Sequence, residues 1–217
     1  MRPPTARYPV HMAEQTYKDP NISLNRIYTK GGDKGQTSLV NGRRLAKDEL
    51  KIASYGVVDE LGAFVGTARI SAIEAGLSTF AASLLRVQHE LFNLGSILAT
   101  DPAEVKPGRP RVAQADIEQL ETEIDACLEG LPKLNSFTLA GGCRLSTELH
   151  VCRTVCRRAE RVLVALSRKE DVPADALGYV NRLSDALFVW SRWVCKELNV
   201  EETVWAPNEA ASGGASD

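Results

Sequence analysis

The stretch His150-Val151-Cys152-Arg153-Thr154-Val155-Cys156-Arg157-Arg158-Ala159-Glu160-Arg161 decides the fold of this 217-residue chain. No Gly or Pro interrupts it, and apolar residues recur at steps of three and four, which predicts a helix with one buried stripe. That stripe consists of Leu149, Cys152, Cys156, Ala159, Leu163 and Leu166. Arg153, Arg157 and Arg161 recur every four residues beside it. Like charges at that spacing repel by roughly a few tenths of a kcal/mol per pair, so a polyanion or carboxylates from other elements should compensate them.

Composition excludes several classes of protein. A 44% hydrophobic and 25% charged chain with a net charge of −2 is typical of a soluble globular domain, without a global field for nucleic acid or an anionic membrane. No run approaches the roughly 20 apolar residues of a membrane span. The five cysteines include no C-x-x-C pair, so we expect core thiols in a reducing compartment.

A glycine-rich segment near the N-terminus is a candidate anion site. Thr29-Lys30-Gly31-Gly32-Asp33-Lys34-Gly35-Gln36-Thr37-Ser38 combines three glycines and two lysines with three hydroxyl side chains. Successive backbone N–H groups in such a loop can wrap phosphates, although the standard P-loop pattern does not match. A plain glycine turn between two short strands is the alternative. Arg43, Arg44 and Lys47 add positive charge after it.

Helical periodicity recurs over five segments, at about residues 51–74, 77–99, 113–129, 144–168 and 173–199. Short links and almost no strand signal predict an all-α, up-and-down five-helix bundle with a short extended, glycine-rich N-terminal loop. We expect a flexible N-terminal extension over 1–24, the bundle over 25–200 and a disordered tail over 201–217. Asp59 in the first helix is placed to pair with an arginine or to be simply solvated.

Two further features surround the predicted arginine helix. The link before it, Leu131 to Gly142, is apolar, and its bulkiest residue, Phe137, either fills the core or lines a site for a large flat ligand. On the fifth helix, Asn181, Asp185 and Arg192 are predicted to share a polar face.

Four motifs together resemble one family, the PduO-type ATP:cob(I)alamin adenosyltransferases. They are Tyr28 to Gly35, Tyr55 to Leu61, Cys156 to Arg161 and Asn181 to Asp185, in the family's order across nearly the whole bundle. The resemblance implies a five-helix bundle that assembles as a homotrimer with active sites between subunits.

The resemblance also implies roles for individual residues. The N-terminal loop would fold over the triphosphate of ATP with Mg²⁺, whose ligands stay unknown, through Thr29, Lys30, Gly31, Gly32, Thr37, Ser38 and Lys47. The nucleotide would be gripped from the other side by Arg157, Arg158, Ala159, Glu160, Arg161 and Asn181. Arg153 would pair with Asp59 of a neighbouring subunit, and Phe137 would face the lower side of the corrin. Gly31 stands where the family more often has Thr or Asn, and Ala140 where Pro is usual.

The implied reaction is attack by Co(I) of cobalamin on C5′ of ATP, with release of triphosphate. Cobalt is the nucleophile, so no catalytic Ser, Cys or His is required. The implied partners are a reductase and an adenosylcobalamin-dependent enzyme, in a bacterial cytoplasm, with the mitochondrial matrix as the alternative location. The alternatives are a non-catalytic nucleotide-sensing or cobalamin-carrier helix bundle and a purely structural bundle.

Overall fold

The computed structural model describes residue 28, residues 30–106 and residues 108–207. Within these ranges five helices occur: α1 (Leu50–Glu74), α2 (Ser78–Leu98), α3 (Gln114–Leu128), α4 (Arg144–Ser167) and α5 (Ala174–Glu197). Every bound lies within two residues of its predicted position, and the all-α bundle is confirmed. The predicted extension over 1–24 lies outside the described residues.

The helices pack as a closed bundle. α1 packs against α2 and α4, α4 packs against α5, and α5 packs against α3. Lys51 at the start of α1 is ion-paired with Glu170 just beyond α4, so these two helices run antiparallel. Phe80 of α2 meets Trp190 of α5 edge to face, with ring centroids 5.6 Å apart. No helix in the described ranges is long and apolar enough to cross a membrane.

The buried stripe of α4 is confirmed, because all six of its predicted members are buried. The helical period predicted the burial of other side chains less accurately. In α1 the helical period predicts that Ile52 and Tyr55 face inward. The buried residues of the first turns are instead Lys51 and Ser54, and Ile52 and Tyr55 are only half-buried. In α5 the predicted position of Arg192 on a polar face is wrong: its side chain is 5% exposed. An ion pair with Glu202 at 2.9 Å neutralises the guanidinium and permits this burial.

A short hairpin precedes the helices. β1 (Gln36–Ser38) pairs antiparallel with β2 (Arg44–Ala46), and Thr37 lies opposite Leu45. The connecting turn has Gly42 at a φ of 85°, a conformation that favours glycine. Val40 donates its N–H to the carbonyl of Ala99 at 3.3 Å, which docks the hairpin onto the end of α2.

A second pair of extended segments joins the chain after α5 to the link before α4. Leu139 donates its N–H to the carbonyl of Thr203 at 2.8 Å, Trp205 donates to Phe137 at 2.7 Å, and Thr138 bridges Val204. We call residues 136–139 and 203–205 the C-terminal ribbon. Residues 203–205, within the segment after the boundary predicted at residue 200, therefore pair with the link before α4, while residues 208–217 lie outside the description.

Candidate active site

The glycine-rich loop brings two predicted phosphate contacts together. Lys47 donates its backbone N–H to the carbonyl of Gly35 at 2.8 Å, so the loop closes onto the segment after β2. A side chain at Gly32 would place its Cβ only 3.2 Å from Nζ of Lys47. The absence of a side chain there lets the lysine ammonium lie beside the backbone. Lys30 and Gly35 both have positive φ, at 58° and 77°, as expected of a tightly wound anion loop.

Two hydroxyl groups of β1 are held in place by neighbours. Thr37 hydrogen-bonds to the phenol of Tyr55 on α1, where burial raises the pKa of Tyr55 and the hydrogen bond partly offsets the rise. Ser38 accepts a hydrogen bond from Nη1 of Arg44 at 3.1 Å. Arg44 also donates to the carbonyl of Gly31 at 2.6 Å, so it links the loop to both strands. Thr29 lies outside the described residues.

The arginines of α4 have different environments. Arg157 is exposed and no ion pair engages it in the described part of the chain. Arg158 is ion-paired with Glu60 of α1. Arg161 donates from Nη1 to the carbonyl of Arg157 at 3.1 Å, one turn earlier. Ala159 belongs to the buried stripe, so any contact with a nucleotide falls to its neighbours.

Asn181 and Glu160 connect α5 to the arginine helix. Nδ2 of Asn181 donates to Oε1 of Glu160 at 2.9 Å. This hydrogen bond joins the exposed face of α5 to α4. Of the predicted contact residues, Asn181 and Glu160 are therefore brought together, whereas Ala159 is buried and Arg158 is turned toward α1.

Arg153 has a buried donor atom that is left unsatisfied among the described residues. Its side chain is half-buried, and its Nε has no hydrogen-bond partner among the described residues. Burial, and secondarily the charge of Arg157, lower the pKa of Arg153. Asp59 on α1 is exposed, and no ion pair joins it to Arg153 within this chain. A buried donor without an acceptor is costly, so this nitrogen is suited to donate to an oxygen partner that the described residues do not supply.

Phe137 is not a core residue. Its side chain is 78% exposed, which excludes the core-filling interpretation and leaves it available to a flat ligand. Its ring lies against that of Trp205, with centroids 6.3 Å apart and planes at 50°. Trp205 is 46% exposed, and sequence reasoning missed it because the surrounding residues resemble a disordered tail.

The glycine-rich loop precedes α1 and docks on the end of α2, near the end of α4, whereas the Phe137–Trp205 pair lies by the start of α4. The glycine-rich loop and the arginines carry positive charge suited to a triphosphate, whereas the Phe137–Trp205 pair offers an apolar, aromatic surface. Among the described residues, no group of three or more His, Cys, Asp or Glu side chains could hold a metal ion. Together, fold and site define a class: an all-α helix bundle with a basic, glycine-rich N-terminal loop and an arginine-bearing fourth helix.

Comparison with known proteins identifies the family within that class. The family model for cobalamin adenosyltransferase matches residues 27–194, and the chain belongs to that family. The range contains the loop, the arginine helix and Phe137, and it ends before Trp205.

Named relatives and solved structures agree with this assignment. The chain is 43% identical over 172 residues to a corrinoid adenosyltransferase of Bacillus subtilis, covering 78% of this chain and 86% of the relative. The human corrinoid adenosyltransferase is 36% identical over 198 residues, covering 90% and 78% respectively. A variant of the PduO-type ATP:corrinoid adenosyltransferase from Lactobacillus reuteri, complexed with cobalamin and ATP, superposes with a TM-score of 0.77 at 35% identity, covering 83% of this chain and 99% of that one.

Proposed function

We propose that the chain transfers the 5′-deoxyadenosyl group of ATP to cob(I)alamin, forming adenosylcobalamin and releasing triphosphate. The observation that carries this function is the family match over residues 27–194, which contains the loop, the arginine helix and Phe137. The structural relative from Lactobacillus reuteri is complexed with both proposed substrates, cobalamin and ATP.

In the transfer step the electron pair of Co(I) attacks C5′ of ATP. The cobalt–carbon bond forms as the C5′–O bond breaks, and the bonding pair leaves on the triphosphate. The thiol of Cys152, on the arginine helix, is unsuited to compete as a nucleophile, since burial raises its pKa to about 12 and keeps it a thiol. The protein's tasks are to position C5′ and to stabilise the growing negative charge.

The leaving triphosphate is assigned to the basic loop and to α4. Lys30 and Lys47 supply compact charges from the loop, and Arg157 and Arg161 supply planar guanidinium groups from the helix. Arg158 adds less positive charge to this surface, because its ion pair with Glu60 already neutralises it. Mg²⁺ would accompany the triphosphate as part of the substrate, and its protein ligands are left unassigned.

Phe137 is assigned to the preparation of cobalt for attack. An apolar ring beneath the corrin displaces the lower axial ligand, which leaves a four-coordinate cobalt that is easier to reduce. This role requires an exposed ring that is held in place. Phe137 is exposed, and its ring lies against that of Trp205. The backbone of the C-terminal ribbon holds both aromatic residues in register.

Assembly and partners complete the proposal. In a homotrimer, Asp59 of a neighbouring copy would satisfy the guanidinium of Arg153, whose Nε lacks a partner among the described residues. A reductase would supply the electron that converts cob(II)alamin to cob(I)alamin, and an adenosylcobalamin-dependent enzyme would receive the product. We place the protein in a bacterial cytoplasm, with the mitochondrial matrix as the alternative location.

An anaerobic optical assay tests the function. Protein is mixed with ATP, Mg²⁺ and chemically reduced cobalamin, and the spectrum of adenosylcobalamin is followed together with the release of triphosphate. We expect both products to form in equal amounts. Binding of both substrates without either product would instead identify a cobalamin carrier.

A further inference from the structure

A cleft of about 490 Å³ lies at the aromatic end of the molecule and has no part in the transfer step itself. Its walls are the link after α3 and the chain after α5, and their apolar members are Leu131, Leu134, Val200 and Val204. A cleft of this volume is in the range that binds organic molecules of drug-like size.

The cleft and Phe137 lie on opposite faces of the C-terminal ribbon. Side chains alternate between the faces of an extended segment, and Thr138 pairs with Val204. The rings of Phe137 and Trp205 meet on one face, whereas Ser136 and Val204 line the cleft. One layer of backbone therefore separates the proposed corrin contact from the cleft, and a flexible substituent of the corrin can reach round its edge.

The rim of the cleft carries an excess of positive charge. Arg192 lines the cleft but is neutralised by Glu202. Lys133 and Lys196 are exposed, and no ion pair engages either in the described ranges. Glu201 opposes them with a single negative charge. An occupant with an apolar body and one anionic group would match this arrangement.

We propose that the cleft binds the lower nucleotide of cobalamin once Phe137 has displaced its base from cobalt. This inference rests on the proposed function. The lower nucleotide consists of a flat aromatic base, a ribose and a phosphodiester that carries one negative charge. The base packs against the apolar wall of Leu134, Val200 and Val204, and the phosphodiester lies between Lys133 and Lys196.

The cleft thereby defines a preferred substrate class. Complete corrinoids with an aromatic lower base gain contacts that cobinamide, which lacks the lower nucleotide, cannot make. Holding the base in the cleft also opposes its return to cobalt, because the base cannot occupy both positions at once.

The test compares the two corrinoids in one assay. Lys133→Ala/Lys196→Ala is prepared beside the wild type and beside Lys169→Ala, an exposed lysine just after α4 at the opposite end of the bundle. KM is measured for chemically reduced cobalamin and for chemically reduced cobinamide. Loss of two charge-assisted contacts should raise the KM for cobalamin about tenfold and leave that for cobinamide within about twofold.

The outcomes separate this inference from the function on which it rests. Equal changes for both corrinoids, or no change for cobalamin, would overturn the cleft assignment while the transferase activity stands. A wild-type protein that adenosylates neither corrinoid would overturn the proposed function itself. The Lys169→Ala variant should match the wild type with both substrates.

Discussion

Trp205 donates its backbone N–H to the carbonyl oxygen of Phe137 at 2.7 Å, and their rings lie against each other. A residue that follows the last helix thus determines where the exposed ring of the apolar link is held. The proposed corrin contact is built from two distant parts of the chain, one on either side of the arginine helix.

Replacement of Phe137 should affect the use of cobalamin but not the binding of ATP. Phe137→Ala should leave ATP affinity unchanged, because the ring lies on the aromatic surface and not at the basic loop. Turnover should fall by about one to two orders of magnitude when cob(II)alamin must be reduced on the enzyme, since the ring that displaces the lower axial ligand is lost. Steady-state rates with a reducing system, beside calorimetric titration of ATP, provide the measurement. An unchanged rate would remove the proposed role of the ring.

Replacement of Trp205 should produce a weaker form of the same defect. In Trp205→Ala the ribbon's backbone hydrogen bonds persist, and a ring contact of about 0.5–1.5 kcal/mol is lost. We expect a severalfold loss of rate from Trp205→Ala alone, and no further loss when Trp205→Ala is added to Phe137→Ala. A double-mutant cycle measures this coupling. Additive losses would show that the two rings act independently.

The Arg192–Glu202 pair should anchor the ribbon to α5. In Glu202→Gln the guanidinium, which is 5% exposed, loses its counter-charge. Removing one partner of a buried pair costs about 3–5 kcal/mol, and the partial exposure of Glu202 should reduce this to about 1–3 kcal/mol. Urea unfolding measures the loss, and faster hydrogen exchange of the Leu139 and Trp205 amides would locate it. Exchange rates equal to wild type would contradict the anchoring role.

A buried acid pair should make the stability of the bundle depend on pH. Arg86 is shared by Glu90 and Glu123, and burial, the largest cause, raises the pKa of both carboxyl groups despite the arginine. The native state then binds protons at a pH where the unfolded chain has released them, so the free energy of unfolding should fall as pH rises above about 5. Urea unfolding across the pH range measures this slope.

A neutral isostere provides the control for that prediction. Glu90→Gln should be less sensitive to pH than the wild type and more stable than it at alkaline pH, because one buried negative charge is absent. Glu118→Gln, on the exposed face of α3, should keep the wild-type slope. A Glu90→Gln protein with an unchanged slope would show that this carboxyl group does not titrate in the native state.

Sequence reasoning predicted the helices well because long amphipathic segments have a strong 3.6-residue period. It offered two short strands at the glycine-rich segment only as an alternative and did not anticipate the ribbon, since strands of three residues have no measurable alternation. It also placed Arg192 on a polar face, because periodicity cannot anticipate that Glu202, from a segment resembling a tail, would neutralise it. The exposure of Phe137 likewise depends on a partner distant in sequence, Trp205.

The arginine repeat of α4 is the proposed binding surface for the triphosphate. Calorimetric titration of ATP with Mg²⁺ into Arg157→Ala tests it, with Arg168→Ala, just after α4, as the matched control. We expect ATP affinity to fall about tenfold or more in Arg157→Ala and to be unchanged in Arg168→Ala. An Arg157→Ala protein that binds ATP as tightly as the wild type would contradict the assignment of this helix to the nucleotide.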